Sequence, residues 1–183
     1  MNREKMEKAT KEIMVLGIGN VLFKDEGFGI HVMKRMEQMF AFPENVQLVD
    51  GGVLGVHLLG IISKPDYLIV IDVIRNGGQP GDMYRIEQKD IPDRIRAKNS
   101  VHQVDFLEAL TLIQAMDHQP ETVILGVEPE DMETLSTDLT ATAENKIGPV
   151  IELVLAELEK LGVTCNKGSC ENVSCDPLYD RQN

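Results

Sequence analysis

Four side chains in this sequence combine ligand or proton-transfer chemistry with positions in loops at the ends of predicted strands or the starts of predicted helices: Glu26, Asp72, His102 and Asp50. Two carboxylates and an imidazole, as in Glu26, Asp72 and His102, suit a divalent transition metal and leave coordination positions open for water or substrate. Glu26 lies in GIGNVLFKDEGFG, residues 17–29. The glycines at 17 and 19 begin like a dinucleotide fingerprint, but Leu22 stands where the third glycine belongs, and the chain has no G-x-x-x-x-G-K phosphate loop. Nucleotide binding is therefore disfavoured. Asp25 and Glu26 enter a helix, where the macrodipole favours negative charge, so capping is the competing explanation for that pair. Asp72 closes the apolar run YLIVI, and a turn or cap competes there too. His102, in NSVHQVDF, ends a long polar connection; His31 and His57 fall in helical segments and His118 follows a helix end, so none of these has an evident reason to face the same edge.

Parallel strands are the elements that would carry such residues to one place. The continuous apolar run at residues 13–19, IMVLGIG, predicts a strand buried on both faces. Apolar residues at Phe28, Val32, Met33, Met36, Met39 and Phe40 predict an amphipathic helix closed by Pro43. Further strands are expected at residues 46–49, 67–71 and 122–127, with a possible antiparallel strand at 83–86 and helices at 53–62 and from about 104. The last helix carries Ile147, Val150, Ile151, Val154, Leu155, Leu158 and Leu161; Gly162 is placed to end it. Pro149 leaves its start open, either near Gly148 or near Thr140 with a kink. Alternating strands and helices predict an α/β fold of three layers, α/β/α, around a mostly parallel central sheet. In such sheets ligands bind beyond the carboxyl ends of the strands, where Glu26, Asp50 and Asp72 all fall.

Composition narrows the partners. Eighteen basic against thirty acidic residues give a formal charge of −12 over 183 residues, which repels a phosphate backbone and speaks against nucleic acid. The opening MNREKMEKATKE is charged and lacks a signal-type apolar core, and no apolar run approaches the roughly 20 residues that span a bilayer. A cytoplasmic protein without a membrane partner is the expectation. One domain, residues 13–162, is predicted, followed by a polar tail, residues 163–183, that holds all three cysteines. Cys165, Cys170 and Cys175 are spaced C-x4-C-x4-C without the closer pair or the histidine of a zinc knuckle, so free thiols are expected, with transient capture of a soft metal as the minor alternative.

Five blocks in order make the sequence resemble the nickel-iron hydrogenase maturation proteases: GIGNVLFKDEGFG, the DGG of Asp50, Gly51 and Gly52, YLIVIDVI, the SVHQ around His102 and GVEPE from Gly126. Together they span nearly all of residues 13–162. The resemblance implies that Glu26, Asp72 and His102 form a metal-binding catalytic site. It also implies an endopeptidase that removes a C-terminal extension from the hydrogenase large-subunit precursor, cutting after a basic residue that follows the last cysteine motif, once nickel is in place. Nickel is then delivered by that precursor. The family uses no nucleophilic serine or cysteine, and this chain has neither G-x-S-x-G nor H-E-x-x-H. Two mechanisms stay open: a bound metal that polarises the scissile carbonyl and activates water, or recognition of substrate nickel with a carboxylate positioning the water. Asp50, Gly51 and Gly52 are candidates for substrate recognition, although a tight glycine turn explains them equally; Val53 stands where many relatives have threonine. A non-catalytic binding or chaperone module of the same fold is the alternative function.

Overall fold

The computed structural model describes residues 11–52, 59–91 and 119–168. The chain runs β1 (Ile13–Ile18), a 3-10 turn (Lys24–Gly27), α1 (Phe28–Met39), β2 (Phe40–Ala41), β3 (Val46–Gly52), α2 (Leu59–Ile62), β4 (Tyr67–Val73), β5 (Met83–Glu87) and a second 3-10 turn (Gln88–Asp90). It continues through β6 (Glu121–Val127), α3 (Ala141–Glu144), α4 (Ile147–Lys160) and β7 (Asn166–Lys167). Five strands form the central sheet in the order β3-β1-β4-β6-β5; all pairings are parallel except β5 on β6. The α/β architecture is the expected one, with helices flanking a mostly parallel sheet, and the antiparallel strand foreseen at 83–86 forms one edge. The helix expected from about residue 104, and residues 53–58 of the one expected at 53–62, lie outside the described residues.

Every residue of β1 and β4 is buried, which is why both read as unbroken apolar runs rather than alternating ones. Alternation survives in which core each residue joins. Ile13 and Val15 of β1, with Tyr67, Ile69, Ile71 and Val73 of β4, meet Phe28, Val32, Met33 and Met36 of α1 and Val150, Ile151, Val154 and Leu158 of α4. Met14, Leu16, Ile18, Leu68 and Val70 face the other way, with Ile62, Ile86 and Ile91. Full burial of one such side chain contributes roughly 1.5–3 kcal/mol, more than the spread of helix propensities, so packing on the sheet holds α1 and α4 in place. Arg85 of β5 ties the edge strand to α4, with Nε 2.8 Å and Nη2 3.1 Å from the two oxygens of buried Glu157.

Two chain segments end differently from the sequence pattern. Helix α1 stops at Met39 rather than running to Pro43, because Phe40–Ala41 pairs antiparallel with Asn166–Lys167. Pro149 allows both of its alternatives a part. The Thr140 hydroxyl accepts the Ala143 N–H at 3.2 Å and caps α3, the helical path breaks after Glu144, and α4 restarts at Ile147 with Pro149 in its first turn, where a missing N–H costs nothing. Gly162 ends α4 at φ +82: its N–H donates to the Glu159 carbonyl and that of Val163 to the Leu158 carbonyl. That reversal turns the chain back toward α1, so Val163 is buried and packing continues to Gly168, whose N–H donates to the Met39 carbonyl. Cys165 packs half-buried against the same core, and burial pushes its thiol up from the ordinary value; Cys170 and Cys175 lie outside the described residues. No helix among the described residues is long and apolar enough to cross a membrane.

Candidate functional site

The strand order creates one switch point. From β1 the chain crosses by way of α1 to β3 on one side, whereas β4 is followed by β6 on the other, so the carboxyl ends of β1 and β4 border the crevice where such sheets take ligands. Residues Gly17 and Ile71 are paired there, and Asp72, one step further on β4, is paired with Gly126 of β6. Asp72 therefore lies at the crevice edge within the strand; the residue is buried, 8% exposed, and its Oδ1 accepts the Val73 N–H at 2.8 Å.

Glu26 reaches the same edge through the 3-10 turn, which packs against β4. Its N–H donates to the Phe23 carbonyl at 2.9 Å and its carbonyl accepts the Asn20 N–H at 3.1 Å, which fixes the backbone under a half-buried side chain. Gly29 brings the start of α1 onto the crevice, because any Cβ there would strike the carbonyls of Ile18 and Ile71. The acidic pair lies in the first turn of the 3-10 segment, where its charge suits the helix start, but the N-cap positions are Phe23 and Gly27, so neither Asp25 nor Glu26 is an N-cap residue. Lys24, beside Glu26, holds the left-handed φ of +33, a conformation costly for a side-chain-bearing residue and sustained by its N–H to the Ser136 carbonyl at 2.8 Å.

Asp25 does something quite different from Glu26. It is fully buried, and its two oxygens accept the N–H groups of Glu130, Asp131 and Thr140 and the Thr140 hydroxyl, all at 2.8–3.0 Å. Four donors fill the acceptor capacity of one carboxylate, so Asp25 is committed to clamping residues 130–140 against the first loop. Glu128, at the end of β6, is a second clamp that the sequence reading missed. Its Oε2 accepts the N–H groups of Asn76 and Gly78 and the Tyr84 hydroxyl, the last at 2.6 Å. Burial alone raises the Glu128 carboxyl, but these donors outweigh it and the group stays below the usual range, while burial and the bond to Glu128 push Tyr84 up to about 12. The signal was available: Glu128 follows the apolar strand TVILGV much as Asp72 ends YLIVI.

On the other flank, Asp50 is paired with Gly17, and the register then slips so that Ile18 pairs with Gly52. Gly51 is the buried residue left over, and Gly52 takes φ +47, with its N–H on the Asp50 Oδ1 at 3.0 Å and its carbonyl accepting the Gly19 N–H. The DGG block thus forms a bulged glycine turn that also presents an exposed carboxylate. The structure brings Glu26, Asp72 and Asp50 to one edge; His102 lies outside the described residues, as do His57, His118 and Val53. Among the described residues no three His, Cys, Asp or Glu side chains gather as a metal site; Glu26 and Asp72 are the two of the three nominated ligands that lie among those residues.

Comparison with known proteins identifies the family and the fold. The profile of a family described as hydrogenase maturation protease matches residues 30–157. The hydrogenase expression/formation protein HupD of Thiocapsa roseopersicina is 36% identical over 162 residues, covering 87% of this chain and 73% of its own length. The hydrogenase 2 maturation protease of Escherichia coli K12 is 35% identical over 153 residues, 82% of this chain and 93% of its own. The solved structure of the hydrogenase maturating endopeptidase HybD from E. coli superposes with a TM-score of 0.81 at 34% identity, over 85% of this chain and 97% of that one.

Proposed function

The chain belongs to the hydrogenase maturation protease family, and from that premise we propose that it is the endopeptidase that removes the C-terminal extension of a nickel-iron hydrogenase large subunit after nickel insertion. One observation carries the reading at the level of residues: the turn bearing Glu26 and the strand end bearing Asp72 meet at the switch-point crevice.

Nickel enters this scheme as cargo of the substrate. Glu26 and Asp72, joined by His102, offer an incomplete and mostly hard ligand set that holds a divalent ion loosely in isolation. A nickel ion already anchored in the precursor needs only a few more ligands, and binding tightens because the metal links two partial sites. The peptide bond beside the docked metal is then held at the crevice, where one carboxylate orients a water. The water oxygen adds to the scissile carbonyl carbon, the carbon–nitrogen bond breaks, and the extension leaves with a protonated amine. A second reading gives the protease a metal of its own as Lewis acid.

Nickel-loaded and nickel-free precursors, incubated with the protein and weighed by mass spectrometry, test these points together. The loaded precursor should lose its extension and the nickel-free one should stay intact. Equal cleavage of both would defeat nickel gating, cleavage of neither would defeat the protease assignment, and stoichiometric zinc in the purified active protein would favour the resident-metal mechanism.

A further inference from the structure

Among the described residues two large hydrophobic side chains are exposed, Leu22 at 52% and Leu135 at 73%. Far apart in the chain, they are neighbours in space. The Ser136 N–H donates to the Leu22 carbonyl at 2.9 Å and the Lys24 N–H donates to the Ser136 carbonyl at 2.8 Å, the pattern of a parallel bridge between Phe23 and Ser136. That bridge brings the backbone of Leu22 alongside that of Leu135, each one residue before its paired position. The Asp25 clamp and a Lys24–Asp131 ion pair at 3.0 Å hold the two loops together beneath them. This apolar pair adjoins the turn that carries Glu26.

We propose that Leu22 and Leu135 form an apolar docking point for the large-subunit precursor, seating an apolar stretch of its surface beside the bond to be cut. The proposal rests on the function given above and extends it to how the substrate is held. A second copy of the chain is the less fitting occupant. Two leucine side chains supply a small part of the roughly 1,200 Å² or more that a stable interface buries, and a charge of −12 on each copy opposes association. A precursor held also at the crevice has no need of a large apolar area, because each contact raises the effective concentration for the other.

The test uses the full chain carrying Leu22→Asp together with Leu135→Asp, and a nickel-loaded precursor. KM should rise about tenfold or more, the loss of ~1.4 kcal/mol of binding, while kcat stays within about twofold. The thermal midpoint should move by no more than a few degrees, since Leu22 is about half exposed and Leu135 mostly so. A Leu22→Ser, Leu135→Ser pair removes apolar surface without adding charge and should raise KM in the same direction, whereas Leu→Met at both sites should preserve it. An unchanged KM in both the aspartate and serine pairs, with normal wild-type cleavage, overturns the docking point. A drop in oligomer size by sedimentation, without a change in KM, gives the surface to a second copy and overturns it as well. Absence of cleavage by the wild type would instead be a failure of the function beneath the proposal.

Discussion

Asp25 and Glu26 are adjacent acidic residues in one short turn, yet they belong to two regions built on different terms. Asp25 is sealed in the interlock between the first loop and residues 130–140, with four donors on its oxygens, and Glu128 plays the matching part for the turn after β4. Glu26 borders the crevice, its backbone bonded to Phe23 and Asn20 and its side chain half-buried at the edge that Asp72 also reaches. The contrast separates two uses of a carboxylate. Where backbone donors saturate it, it is structural and has nothing left for a ligand; where it stands half-buried at a strand-end crevice, it is placed to serve a substrate.

Substitutions at the two crevice carboxylates, and at His102, proposed to join them, should produce the largest change. Glu26→Gln, Asp72→Asn or His102→Ala is expected to lower precursor cleavage by about 10²–10⁴-fold with an unaltered circular dichroism spectrum. An Asp72 variant that unfolds would move that residue into the structural class, and wild-type rates in the His102 variant would remove it from the site. Asp25→Ala should do the reverse, acting on stability first. Three backbone N–H groups lose their acceptor at ~1–3 kcal/mol each where they stay buried, so a loss of about 3 kcal/mol or more is expected, lowering the thermal midpoint by roughly 6–12 °C. If Asp25→Ala melts like the wild type but no longer cleaves, the contrast drawn between the two neighbours is wrong.

Glu128→Gln should be milder, about 1–2 kcal/mol, because the amide oxygen can still accept from part of the same set. Its spectroscopic sign is sharper: the Tyr84 phenol, pushed up to about 12 by burial and then by Glu128, should ionise at lower pH once the carboxylate is gone, as followed by ultraviolet titration. The smallest effect expected is on acid stability. The Arg85 guanidinium, against the opposing effect of burial and with help from Lys160, holds Glu157 below the usual carboxyl range, and hydrogen bonds do the same for Glu128. Folding therefore favours the charged forms. Their contribution is complete above the unfolded glutamate pKa of ~4.3 and is lost as pH falls through the lower native values. Denaturant midpoints measured downward from about pH 5 should decline, and less steeply in Glu157→Gln than in the wild type.

Much of the architecture was legible because β1 and β4 are buried on both faces and α1 repeats its apolar residues on one side; these are local patterns with one good solution. The segment after Gly162 was harder to read. Its composition is polar, and only the return of the chain beside Phe40–Ala41 gives Asn166–Lys167 a partner, carrying the packed part to Gly168.

Residue types and their order therefore determined the strands, the edge where carboxylates collect and the family to which the chain belongs. Tertiary structure decided what each carboxylate does. The donors that saturate Asp25 stand 105 to 115 positions away in the chain, and those on Glu128 stand 44 to 52 away. The bridge between Phe23 and Ser136 is what brings the chain at Leu22 alongside the chain at Leu135. A sequence shows which groups can accept a hydrogen bond. Which donors arrive is settled only when distant loops are packed together, because desolvation then forces every buried N–H to find an acceptor.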